Sequence, residues 1–488
     1  MNLDCALLSY QTMKKAYLLL LACLAVSPSV ANDLPDLGDV SATVLSPLDE
    51  QRIAEQIMKD VMSSGQVVSD VEVNDYVYNL GYRLAANGPD RRQKFYFFVV
   101  RDNAINAFAM PGGVVGIHTG LIIASNSESE VASVMGHEIG HVVQRHLARM
   151  IAQQKQDSIL NLATLALAIL ASRSDGVGGG AMAAAQAGAL QRQLDYTREH
   201  EREADRVGLQ ILDSAGFDTR AMPVFFETLQ KNTRFEGSAP SFLRTHPLTV
   251  ERISDVRSRV EQMPYRQVQD SPEYHYVRAK LMSELGSANS AADYFIVNLR
   301  DRKYASEAAQ HYGLALALMR KNDHAAAAEQ VTWLKENAPR HAMIETLAAR
   351  LETARNNPAR AGKQYESALR EFPSHRALIY GYAEHLLALG QPDAVLKLIE
   401  EKQGLFPDDP YFYELKSRAY TAQGQTLLRH QAQGEAYYRR YDLQRAIEQM
   451  DLAAKAPDGD FYQKSIVEAR LRQLQQMALE PKKKGFFD

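Results

Sequence analysis

Cysteine is almost absent: Cys5 and Cys23 are the two in 488 residues. Both fall within residues 1–31, which read as an export signal. Lys14 and Lys15 supply its positive region, Ala16 to Val26 its apolar region, and Ser29-Val30-Ala31 a small-residue cleavage site. A chain cut there retains no thiol and forms no disulfide. Met13 is an alternative start, because the residues before it do not resemble a positive region. Leu20-Leu21-Ala22-Cys23 roughly resembles a lipobox, which would make Cys23 a lipid-modified terminus. Ordinary cleavage is the preferred reading, and both readings place the remainder in an exported compartment, most simply a periplasm.

A basic surplus is missing as well. Lys and Arg number 55 against 59 Asp and Glu, for a formal net charge of −4. The electrostatic attraction that dominates nucleic-acid binding is therefore lacking, and no nucleic-acid partner is expected. Long apolar runs are lacking too. Ala16–Val26 and Ser158–Ala171 both fall short of the ~20 residues that cross a bilayer. Disorder is excluded by a hydrophobic share of 46%. At this length two folded domains are expected.

The two halves differ in texture. Between about residues 45 and 262 strand and helix patterns mix. Phe95-Tyr96-Phe97-Phe98-Val99-Val100 reads as a strand, Ala109-Met110-Pro111-Gly112-Gly113 as turn chemistry, and Val114-Val115-Gly116-Ile117 as a second strand. Ser127 and Glu130 form a capping box for a helix expected to run on to about Arg149. From about residue 272 onward the strand signals vanish. Pro339, Pro373 and Pro407 recur every 34 residues, the period of a tetratricopeptide repeat. In phase with them, Ala327, Ala361 and Val395 take the small position of one helix, and Ala315, Ala349 and Ala383 that of its partner. Tyr365 and Ile399 fill the large apolar position, and Ala436, Tyr437 and Ala446 suggest a further, irregular repeat. The expected organisation is a signal at 1–31, a mixed domain at 32–264 and an all-α repeat solenoid at 265–480. Such a solenoid exposes a concave surface suited to peptides or partner proteins.

The chemistry lies in His137-Glu138-Ile139-Gly140-His141. Residues four apart share a helix face, so both imidazoles can reach one ion. Zinc is the expected metal, one per chain, with a position left for water. Glu138, about 100° round the helix from His137, is placed to take the proton of an attacking water. Gln144 and Leu147 stand where an extended metzincin motif needs glycine and histidine, so that class is excluded. The third ligand is then expected on a second helix, in Glu199-His200-Glu201-Arg202-Glu203-Ala204-Asp205. Glu201 is the choice, because Asp205 one turn on shares its face and can hydrogen-bond the outer nitrogen of a ligand histidine. Glu199 and Glu203 are expected in solvent and His200 as an incidental neighbour. His146, nearly opposite His137 on a continuous helix, is expected not to bind metal.

Four motifs in order resemble the M48 family of metallopeptidases. They are Asn106-Ala107-Phe108-Ala109-x-Pro111-Gly112-Gly113, the His-Glu-Ile-Gly-His core, Glu201-x-x-Ala204-Asp205, and His246-Pro247-Leu248-x-x-Glu251-Arg252. The resemblance implies an α+β zincin-type domain with a gluzincin site. In such a site Glu201 is the third ligand, and Asp205 supports it or donates a proton. His246, just before a proline, has little packing reason to be there. Either it steadies an oxyanion, or it occupies the open metal position at rest, or it is a surface histidine.

Ser158–Ala171 and the glycines at 176 and 178–180 read either as helices packed on the domain or as a membrane-touching or mobile lid. Two functions follow. One is a periplasmic zinc endopeptidase for unfolded, misfolded or stalled polypeptides, with a strand at the cleft edge (Phe95–Val100 or Val114–Ile117) pairing with substrate. The other is a non-proteolytic chaperone or adaptor whose repeats dock on an outer-membrane assembly complex, which the resemblance implies is a β-barrel assembly machinery. The family resemblance implies that both can hold. The basic Lys482-Lys483-Lys484 is read as a solvated end, with weak peripheral membrane contact as the alternative.

Overall fold

Ser46 and Asp70 start the first two helices of the computed structural model, which describes residues 45–153, 198–236 and 240–479. The Ser46 hydroxyl accepts from the Asp49 amide ahead of α1 (Pro47–Ser63). The Asp70 carboxylate accepts from the amides of Glu72 and Val73 ahead of α2 (Val71–Ala86), satisfying donors that a helix start leaves unpaired. The signal reading of residues 1–31, the stretch at 158–190 and the lysine tail lie outside the described residues.

Three strands follow: β1 (Tyr96–Val100), β2 (Ala107–Met110) and β3 (Val114–His118). The order is β1-β3-β2, with β1 parallel and β2 antiparallel to β3. Two expectations are corrected here. Ala109 and Met110 belong to a strand and not to the turn, which starts at Pro111. Val114–Ile117 lies in the central strand, so it cannot serve as a cleft edge. The turn itself needs glycine: Gly113 has φ 84°, and a Cβ there would sit 1.9 Å from the Lys94 carbonyl oxygen.

Next come α3 (Thr119–Ala124), α4 (Glu128–Val143), α5 (His146–Gln153) and α6 (Arg198–Ser214). They are followed by α7 (Ala221–Glu236), α8 (Ser241–Thr245) and α9 (Val250–Glu261). The Ser127 hydroxyl caps α4 as expected, accepting from the Glu130 amide, while the Glu130 carboxylate reaches back to the Asn126 amide. The helix does not run to Arg149. It stops at Val143, and Arg145, at φ 51°, turns the chain into α5.

Helices alone make up the described chain from α10 (Pro272–Ser283) onward. Ala315, Ala349 and Ala383, with Ala327, Ala361 and Val395, are fully buried where paired helices meet. One apolar core joins the two textures: Val73, Tyr76 and Val77 of α2 share it with Tyr274, Val277 and Tyr312. The helical half also curls back onto α2. Arg376 binds both carboxylate oxygens of Asp75 and reaches Asp409 at 2.9 Å. Lys280 and His375 meet the two oxygens of buried Glu72 at 2.5 and 3.0 Å. Between α2 and these helices lies a cavity of about 950 Å³, bordered by Tyr78, His341, Phe372 and Phe406 among others.

Candidate metal centre

Helices α4 and α6 carry the site, and small residues let them approach. A Cβ on Gly140 would lie 2.9 Å from the Ala204 carbonyl oxygen, and one on Gly208 would lie 3.0 Å from the His137 amide nitrogen. That close approach sets Glu201 and Asp205 of α6 against His137 and His141 of α4. The His137 and His141 Nε2 atoms are 3.0 Å apart. Glu201 lies 3.3 Å from His141 Nε2 and 3.6 Å from His137 Nε2. His246, just beyond α8, closes the group, with its Nδ1 2.9 Å from Glu201 Oε1 and 3.4 Å from His137 Nε2. One donor atom from each of His137, His141, Glu201 and His246 lies within 4.8 Å of the others, and all four residues are buried.

Glu138 sits beside this group, fully buried, with Oε1 3.5 Å from His246 Nε2 and neither oxygen hydrogen-bonded. Burial pushes its carboxyl above the ordinary range, against the pull of His246 and His137. Burial would also raise Glu201, but His246, His141 and Arg252 hold it well below that range. Burial drives His141 well below the ordinary histidine value, so its ring is neutral. The donor set fits a divalent metal: two imidazoles with converging inner nitrogens, an ionised carboxylate and a further imidazole, all shielded from water.

A second layer holds these groups. Asp205 Oδ1 lies 2.8 Å from His137 Nδ1, the relation expected from the sequence. Arg252 donates to Asp205 through Nε and Nη2, each at 2.8 Å, and its Nη1 lies 2.6 Å from Glu201 Oε2. Arg252 carried no role in the sequence reading, and the signal was its place in the last motif. His146 is not among the four converging donors, but it does not sit where a continuous helix would put it. The bend at Arg145 brings its Nδ1 to 2.9 Å from His141 Nδ1, and its Nε2 to 3.0 Å from Glu203. Glu203 is thus not simply solvated, since Arg149 also binds it at 2.6 Å. His200 stacks on His146 with ring centroids 4.6 Å apart. Glu199 is exposed, as expected.

A buried His-Glu-x-x-His helix, a glutamate from a second helix and a carboxylate behind the first histidine define a metallopeptidase. The chain belongs to peptidase family M48, which matches residues 73–260; a tetratricopeptide repeat matches residues 352–419. It is similar to the beta-barrel assembly-enhancing protease of Escherichia coli, 31% identical over 452 residues that cover 92% of each chain. The protein of that name from Yersinia pestis is 31% identical over 80% of this chain and 81% of its own. The mitochondrial metalloendopeptidase OMA1 of Arabidopsis thaliana is 37% identical over 30% of this chain and 28% of its own.

Proposed function

We propose that the chain is a periplasmic zinc endopeptidase that removes misfolded or stalled outer-membrane proteins, with its repeats engaging the substrate or the β-barrel assembly machinery. The observation that carries this reading is the convergence of His137, His141 and Glu201 on one buried point, with the unbonded Glu138 carboxylate beside it. In this reading those three residues hold the metal. Bound zinc supplies a Lewis acid for the scissile carbonyl and an acidified water. Glu138 takes the proton of the attacking water and passes it to the leaving amine, a task suited to a carboxyl raised by burial. Asp205 fixes the His137 ring, and Arg252 keeps Asp205 and Glu201 ionised. His246 would be the fourth donor of the resting site, and it would have to give up that position for substrate to enter.

Substrate is proposed to pair with β2. Among the described residues that strand is an edge of the sheet, and it packs on α4, so an added strand would run past the metal centre. Pairing through backbone rather than side chains suits clients that share a misfolded state more than a sequence. The cavity between α2 and the repeats is the second holding surface. The names of the relatives support the outer-membrane role. The described residues contain no helix long and apolar enough to cross a membrane.

The test is zinc content by mass spectrometry on wild type and Glu201→Ala, with casein cleavage alongside. One zinc per chain, sharply reduced in the variant together with cleavage, is the expected result. Full zinc without Glu201 would assign the third ligand elsewhere, and a wild type without zinc would leave the non-proteolytic adaptor reading.

A further inference from the structure

The link between α4 and α5 is turned at Arg145, whose φ of 51° lies in the left-handed region that residues with a Cβ rarely adopt. The conformation is held from a distant part of the chain. Arg145 Nη2 donates to the Leu45 carbonyl at 2.6 Å and to Glu50 Oε1 at 3.0 Å. In an unbroken helix, five residues on, His146 would stand about 140° round from His141. The bend instead sets the two Nδ1 atoms 2.9 Å apart, with the rings near perpendicular at 76°. Backbone strain maintained by outside contacts is a reason to look for what it positions.

The two Nδ1 atoms can share one proton, and the far side of His146 decides which of them carries it. His146 Nε2 lies 3.0 Å from Glu203 Oε2, and an ionised carboxylate only accepts, so Nε2 bears hydrogen. Arg149 at 2.6 Å keeps Glu203 ionised. The His146 ring is fully buried and stacked on His200, and its neutral form leaves Nδ1 bare. His141 Nδ1 is then the donor of the shared bond. Its proton is on the outer nitrogen, and the Nε2 facing His137 and Glu201 has its lone pair free.

We infer that His146 is a positioning residue for the metal centre, fixing His141 in the tautomer and orientation that present Nε2 to the ion, with Glu203 fixing His146 in turn. The two imidazole ligands are thus oriented by unlike partners. Asp205 serves His137 directly, and an imidazole–carboxylate pair serves His141. Outer partners of this kind change metal affinity about 10- to 100-fold when removed. The inference rests on the reading that His141 is a metal ligand.

The test compares His146→Phe, which keeps a ring and loses both nitrogens, with His146→Asn, whose Oδ1 can accept in place of Nδ1. Zinc affinity of the full-length chain is measured by chelator competition, and the absorption bands of the cobalt(II)-loaded chain are recorded. We expect zinc affinity to fall about 10- to 100-fold in His146→Phe, with shifted cobalt bands, and both to stay near wild type in His146→Asn. Unchanged affinity in His146→Phe overturns the inference. An equal loss in His146→Asn also overturns it, because the role would then be packing. If His146→Phe does not fold, Glu203→Leu probes the same chain from its outer end: weaker zinc binding supports the inference and unchanged binding overturns it. A wild type that binds no zinc overturns the ligand reading itself, and that result appears before any variant is made.

Discussion

Arg252 grips Asp205 with two nitrogens, Nε on Oδ2 and Nη2 on Oδ1, both at 2.8 Å, and both side chains are buried to 1–2% exposure. The same guanidinium reaches Glu201 Oε2, so one cation serves two carboxylates of the metal centre. Arg252→Met strands both acids in the interior. Losing one partner of a buried pair costs about 3–5 kcal/mol, and urea unfolding of the metal-free protein should show a loss of that order. Arg252→Lys keeps the charge without the fork and should fall between the two.

Glu138→Gln should leave metal content and unfolding midpoint unchanged while casein cleavage drops about 10²- to 10⁴-fold. Neither carboxylate oxygen has a hydrogen-bond partner to lose, and burial already disfavours the charge, so removing it does not weaken the fold. Retained cleavage would move the general base elsewhere.

The metal motif was legible because its chemistry is written at helical spacing, and Glu201 and Asp205 because they stand one turn apart. The repeat positions were legible for a similar reason, since each small residue is buried against helices nearby in sequence. The end of α4 was not. Val143-Gln144-Arg145-His146 contains neither glycine nor proline, and the conformation of Arg145 depends on Glu50, 95 residues earlier. His146 was misplaced for that reason alone. Strand β2 was hidden behind the Pro111-Gly112-Gly113 turn, and only its pairing with β3 reveals it. The Arg376–Asp75 contact joins residues 301 apart, a distance over which no local pattern speaks.

Helix packing at the site gives a third prediction. Gly208 lies so close to α4 that a Cβ would stand 3.0 Å from the His137 amide nitrogen and 3.1 Å from its Cα. Gly208→Val must push α6 away, carrying Glu201 and Asp205 with it. Zinc affinity should fall at least 10-fold, the scale seen when ligand supports are lost. Chelator competition measures it, and unchanged affinity would mean that the helices do not set ligand geometry.

The seam between α2 and the repeats should be acid-sensitive. Burial alone would raise Glu72, but Lys280 and His375 overcome it and hold the carboxyl down to about 2, from 4.5. A folded-state value below the unfolded one means that its stabilisation is complete above about pH 4.5 and is lost as pH falls toward 2. The contribution is on the order of 3 kcal/mol at neutral pH. Urea unfolding from pH 7 down to 2 should show Glu72→Gln less stable than wild type at neutral pH, with the gap closing on the acid limb. A constant gap would assign the loss to packing.

His246 supplies the last prediction. Its Nδ1 lies 2.9 Å from Glu201 Oε1, its Nε2 lies 3.5 Å from Glu138 Oε1, and Phe242 stacks on its ring with centroids 4.6 Å apart. Zinc in such sites takes four ligands. With His137, His141 and Glu201 as three of them, a histidine in the fourth position leaves no place for the attacking water. His246→Ala should therefore keep its zinc and cleave casein faster than wild type. Loss of zinc would make His246 a structural ligand. Slower cleavage at full zinc content would instead give it a part in the reaction, steadying the oxyanion, and the resting site would then be open.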